Sequence, residues 1–124
     1  MPLITLPPAA QLAAKIKAEL PGFAEVQWLE QVDSTNSQLI NRARQVEPES
    51  AQVRPVLLGA YHQTQGKGRG GRTWKDLDKT TLMFSCAFDV DMPATQLPML
   101  APLCGIVVCE QLRQLVGAAH EHRL

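Results

Sequence analysis

The sequence lacks net charge: its 12 lysines and arginines balance 12 aspartates and glutamates. A general nucleic-acid binder would be basic overall, so the balance argues against that class and against DNA as a partner. Long apolar runs are missing too. The longest, Leu103 to Cys109, is too short to span a bilayer. The N-terminus shows no basic segment followed by an apolar one, so no secretory signal is read. These absences predict a soluble, cytoplasmic protein with no membrane partner. Cysteine is sparse, and the three residues cannot all pair with one another. Cys86, Cys104 and Cys109 are read as small buried hydrophobes in a reducing compartment. His120 and His122 have no third ligand beside them, so no metal site is predicted. No Gly-Lys pair precedes Ser or Thr, which excludes a P-loop. No internal repeat or low-complexity tract is present. With 45% apolar residues, the chain should fold as one globular domain.

Against this background one stretch stands out. Gln63 to Trp74 holds four glycines, three cations and one indole in twelve residues. Glycine lets backbone N–H groups approach a ligand closely, and successive N–H groups can form a concave anion site. Lys67, Arg69 and Arg72 add positive charge, and an arginine can grip a phosphate or carboxylate through two parallel hydrogen bonds. Trp74 offers a flat face for a ring. The pattern points to a small anionic ligand with an aromatic group, such as a nucleotide. A mobile solvated loop has the same composition, and that reading stands beside the first. Gly66, Gly68 and Gly71 fit the dinucleotide fingerprint, but Trp74-Lys75-Asp76 leads toward a strand rather than a helix, and no β–α–β repeat is seen. A single Arg69-Gly70-Gly71 unit is weak evidence of RNA binding.

The remaining chain reads as alternating helices and strands. Pro7-Pro8 suits a helix start. Ala9, Leu12, Ala13, Ile16 and Leu20 follow helical spacing, and Pro21-Gly22 ends the segment. Glu25 to Val32 reads as a strand, with Val26, Trp28 and Val32 on one face. Asp33-Ser34-Thr35-Asn36 opens a helix whose buried stripe is Leu39, Ile40 and Ala43. Thr35 with Gln38 fits the spacing of a capping box. Ser34 and Thr35 have two readings: plain capping, or hydroxyls and N–H groups presented to a polar ligand at a helix N-terminus. Val56 to Tyr61 reads as a buried strand that delivers Gln63 and the glycine-rich loop. Thr81 to Val90 reads as a further strand, and Leu97 to Val116 as the longest helix, capped by Gly117.

Two of these stretches together resemble one family. Gly66-Lys67-Gly68-Arg69-Gly70-Gly71-Arg72-Thr73-Trp74, with Gln63 three residues ahead, is similar to the signature loop of biotin–protein ligases. Val32-Asp33-Ser34-Thr35-Asn36 matches that family's Asp-Ser-Thr-Asn element. Lys67 and Gly70 stand where arginines are usual. The resemblance runs from about Val26 to about Gly117, the first half of the family's catalytic domain.

The resemblance implies an α/β (α+β) fold of the class II synthetase-like type, with a mixed or antiparallel sheet flanked by helices. It implies ATP-dependent activation of biotin to biotinyl-5'-adenylate, then transfer to a lysine of a biotin carrier protein, a carboxylase subunit. Mg²⁺ would assist at the phosphates. Lys67 and Arg69 would be catalytic. Ser34, Thr35, Asn36, Gln63, Lys67, Gly68 and Arg69 would bind biotin, and Arg69, Arg72 and Trp74 the nucleotide. A lipoate-type ligase relative and a non-enzymatic biotin- or nucleotide-binding remnant are the competing classes. The family's later Lys-Trp-Pro-Asn motif and C-terminal β-barrel have no counterpart here. Residues 1–124 are therefore read as a single truncated catalytic domain, with residues 1–22 an N-terminal helix and no helix-turn-helix. That chain alone is not expected to form biotinyl-adenylate. Its uncovered sheet face predicts self-association.

Overall fold

The computed structural model describes residues 6–45, 54–66 and 81–119. Three strands form one sheet in the order β1-β2-β3: β1 is Glu25–Val32, β2 is Val56–Gln63 and β3 is Met83–Ala87. β1 and β2 run parallel, with Glu25 opposite Val56 and Val32 opposite Gln63. β3 runs antiparallel to β2, with Val56 opposite Ala87 and Ala60 opposite Met83. The sheet is mixed, as one of the two expected arrangements requires. Helix α1 (Ala9–Glu19) precedes β1, and α2 (Thr35–Gln45) lies between the parallel strands. β1, α2 and β2 thus make one β–α–β unit. The glycine-rich stretch follows its second strand, not its first.

The two faces of the sheet carry different helices. On one face Trp28, Leu57 and Tyr61 pack with Ala9, flanked by Leu12, Ala13 and Ile16 of α1. On the other, Val56 and Leu58 pack with Leu39 of α2, beside Leu29 and Ala87. Alternation along each strand explains the split, since successive side chains point to opposite faces. β2 is central and buried on both faces, so it reads as a continuous apolar run.

Gly59 sits where this packing is tightest. It pairs with Trp28 on β1 and Phe84 on β3, and the indole lies across it. A Cβ at Gly59 would come within 2.2 Å of two indole carbons. Glycine is needed here for room.

α1 is tied down from outside itself. Pro8 occupies its N-cap and offers no side-chain acceptor. The Ala9 N–H instead donates to Glu30 Oε1 of β1 at 3.1 Å. At the other end the Lys17 ammonium donates to the carbonyls of Pro21 and Phe23. The Tyr61 hydroxyl donates to the Pro7 carbonyl at 2.5 Å, so β2 anchors the approach to the helix. Burial, then the Glu30 carboxylate, raises the Tyr61 pKa above 10.0. The neutral phenol is present in both folded and unfolded chains below pH 10. Above it the unfolded chain ionises first, so stability falls as pH rises toward the folded-state value. Tyr61→Phe should cost about 0.5–1.5 kcal/mol at neutral pH for the lost hydrogen bond. It should also remove this alkaline loss, which urea titrations of both proteins at pH 7 and pH 11 would measure.

The face of β3 expected to lie uncovered is exposed, whereas Cys86 on that face departs from its expected burial. Met83 is buried and Ser85 and Ala87 are half-buried. Leu82, Phe84 and Phe88 are 70%, 48% and 49% exposed, and Cys86 is exposed as well. The register explains this. Phe84 and Cys86 lie opposite Gly59 and Leu57, on the face α1 covers over Trp28 but not over the edge strand. The expected α2 stripe is also narrower. Leu39 is buried, whereas Ile40 is 40% exposed and Ala43 is exposed.

The chain divides after Asp89 into a second unit starting at Val90. It contains a 3-10 turn, Ala94–Met99, that includes Pro98, and α3, Leu100–Ala119. Gly117 was expected to cap this helix, but α3 runs through it. Its neighbourhood is open, so nothing there forces a stop. Cys104 and Cys109 lie exposed on α3, against the expectation of burial, as do apolar side chains such as Leu103, Ile106 and Leu112. By length and composition alone, residues 94–117 could cross a membrane, with mean hydropathy 1.3. The longest uninterrupted apolar run is much shorter, because polar residues such as Gln96, Glu110 and Arg113 interrupt the helix without lowering its average far.

Candidate functional site

The parallel pairing of β1 and β2 decides where their C-terminal ends meet. Pairing continues past both strands: the Thr64 N–H donates to the Val32 carbonyl at 2.9 Å, and the Gln65 N–H to the Asp33 carbonyl at 2.7 Å. The turn out of β2 is thereby fixed beside the first residues of α2. Ligand crevices in open α/β sheets form at such strand ends.

The start of α2 shows how its polar residues share the work. Ser34 is the cap: its Oγ accepts from the Ser37 N–H at 3.2 Å, and its carbonyl accepts from the Gln38 N–H at 3.0 Å. Asp33 Oδ1 accepts from the Ser34 N–H at 2.6 Å and from Gln38 Nε2 at 2.9 Å. The expected Thr35–Gln38 capping box is therefore replaced by a Ser34 cap and an Asp33–Gln38 brace. Thr35 is left with another task. Its N–H donates to Gln63 Oε1 at 2.8 Å, and its hydroxyl lies 2.8 Å from Ser85 Oγ on β3. Ser34→Ala should cost about 1 kcal/mol through loss of the cap, read as a lowered urea midpoint with an unchanged slope.

These contacts frame a cleft of about 250 Å³ lined by Ser34, Thr35, Asn36, Gln63, Leu82, Met83, Phe84 and Ser85. Ser34 and Thr35 are 6% and 3% exposed, unusually deep for hydroxyl side chains. Asn36 is exposed at the rim. Gln63 is held at both ends of its amide, since Oε1 accepts from Thr35 and Nε2 donates to Met83 Sδ at 3.4 Å. The cleft thus offers hydroxyl, amide and thioether groups, beside the positive end of a helix dipole. Such a set of donors and acceptors suits a small polar group.

Of the residues expected to bind biotin, the fold brings Ser34, Thr35, Asn36 and Gln63 together. Lys67, Gly68 and Arg69 lie outside the described residues, as do Arg72 and Trp74, and His120 and His122. Gly66 is buried at the point where the described chain leaves the cleft. The sequence reading missed Met83 and Ser85. Their period-2 spacing on β3 puts them on one face, and a serine amid apolar strand residues was the available signal. Among the described residues no cluster of His, Cys, Asp or Glu could hold a metal ion.

The family model for the biotin/lipoate A/B protein ligase family matches residues 28–123. The chain belongs to this family. The match includes the whole cleft and extends across α3, so that apolar helix is part of the family's domain. The chain is also similar to the biotin–[acetyl-CoA-carboxylase] ligase of Mycobacterium tuberculosis (strain ATCC 25618 / H37Rv), at 30% identity over 97 residues. The alignment covers 77% of this chain and 35% of that relative. The chain thus spans about a third of the length of the ligase it matches. No solved structure matches it.

Proposed function

We propose that the natural protein is an ATP-dependent biotin–protein ligase and that this chain supplies its biotin-head pocket. The observation that carries the reading is the cleft between α2 and β3, where Ser34, Thr35, Gln63 and Ser85 converge. A ureido ring needs donors and acceptors close together on a rigid wall, and these residues supply both. A dithiolane ring would leave those polar groups unmatched, which favours biotin over a lipoate-type substrate.

The reaction follows from the charges. A biotin carboxylate oxygen attacks the α-phosphorus of ATP, and the bond to the bridging oxygen of pyrophosphate breaks. Two anions must meet, and charge builds on the phosphoryl oxygens. Lys67 and Arg69 would stabilise that charge together with Mg²⁺, while Arg72 and Trp74 would hold the nucleotide. A carrier lysine amine then attacks the acyl carbon. AMP leaves, and the amine loses its proton. The carrier would be a biotin-accepting carboxylase subunit, and the reaction would take place in the cytoplasm.

Pyrophosphate release by the natural protein tests this reading. Release should require ATP and biotin together, and lipoate should not substitute. Release with lipoate alone would assign the protein to the other branch of its family. Biotin binding without release under any condition would mean a non-enzymatic binding remnant.

A further inference from the structure

The inference concerns Met83 and rests on the biotin-binding reading above. A backbone N–H can only donate. The Thr35 N–H, 2.8 Å from Gln63, therefore fixes that end of the side-chain amide as Oε1. The amino end must then point the other way, where Nε2 lies 3.4 Å from Met83 Sδ. A thioether can only accept. The donor on α2 and the acceptor on β3 thus select the same orientation of one amide from opposite ends. With the amide reversed, two donors would face each other at Thr35, and Oε1 would face the sulfur lone pairs.

Nothing about packing alone requires sulfur at this position. Met83 is 6% exposed, and a leucine of similar volume would fill the space. What leucine would lack is the acceptor. Met83 also lines the cleft itself, so the amide it holds faces the ligand space. We infer that Met83 is a positioning residue: its thioether holds the Gln63 amide in the orientation that binds the biotin head group. It touches no reacting atom and acts through Gln63.

The test uses the full natural protein with Met83→Leu, which keeps the volume and removes the acceptor, and Met83→Gln, which restores an acceptor at similar length. The first readout needs no ligand. In ¹⁵N-labelled protein, the Gln63 side-chain amide resonances, assigned by their loss in Gln63→Glu, should move in Met83→Leu toward solvent-exposed values. The second readout is calorimetry with biotin and, separately, with ATP. Biotin affinity should fall roughly three- to tenfold in Met83→Leu, the worth of one modest hydrogen bond. ATP affinity should stay unchanged, and Met83→Gln should recover most of the biotin loss. An unmoved Gln63 amide with parental biotin affinity would overturn the inference. So would equal losses for both ligands that Met83→Gln does not repair, since that pattern belongs to a purely structural role. If the parent protein binds no biotin, the ligase reading falls by itself, and the Gln63 resonances alone decide whether Met83 orients the amide.

Discussion

Replacing Gln63 by alanine is expected to lower biotin affinity by about 1.5–3 kcal/mol, roughly ten- to more than a hundredfold. Gln63 ties both walls of the cleft together, through Thr35 on α2 and Met83 on β3. Its removal takes away the amide contact proposed for the ligand. It also leaves the Thr35 N–H of a nearly buried residue to find another acceptor, which carries a desolvation cost. Calorimetry with biotin on the natural protein, with the urea midpoint recorded alongside, separates the two effects. Parental affinity in a folded Gln63→Ala protein would mean that the ligand does not sit in this cleft.

Gly59→Ala should produce the second large effect, this time on stability. The new Cβ would stand 2.2 Å from indole carbons of Trp28, a ring only 4% exposed beneath α1. The indole cannot swing aside without disturbing Leu57 and Tyr61, which pack in the same cluster. Overpacking of this kind costs about 1–3 kcal/mol, with the upper end expected in so enclosed a site. A double-mutant cycle checks the cause. In a Trp28→Leu background the added methyl should cost much less, so the two changes should be strongly non-additive. Additive losses would place the strain elsewhere.

Much of this fold is legible in the sequence, and the reason differs by element. Strand β1 and strand β2 fall where their apolar patterns put them, because both are half or fully buried and their neighbours in sequence are turn formers. Helix α2 begins at Thr35 because Ser34 accepts from the free Ser37 N–H and Asp33 braces the first turn through the Gln38 side chain. What sequence does not reveal is the division of labour among such similar residues. Ser34, Thr35 and Gln38 satisfy more than one capping pattern, and only the position of β3 decides that the Thr35 hydroxyl turns to Ser85.

The same limit explains the misread cysteines. The open face of β3 was legible, since alternation puts Leu82, Phe84 and Phe88 on one face and the chain supplies too few helices to cover it. Helix α1 is too far across the sheet to do so, as the pairing of β3 outside β2 dictates. The site was legible in part because its residues come from strand ends and a helix start, which carry local signals. Met83 and Ser85 come from mid-strand, where a side chain's role depends on what the sheet brings opposite it.

The placement of the ligand site is the claim most open to direct test. Amide shifts should be mapped in the ¹⁵N-labelled natural protein as biotin is added. Changes are expected to concentrate at Ser34 to Ser37, at Gln63 to Gly66 and at Met83 to Ser85, with little at α1. Saturable changes centred on other residues, with these three segments unmoved, would contradict the assignment of the cleft.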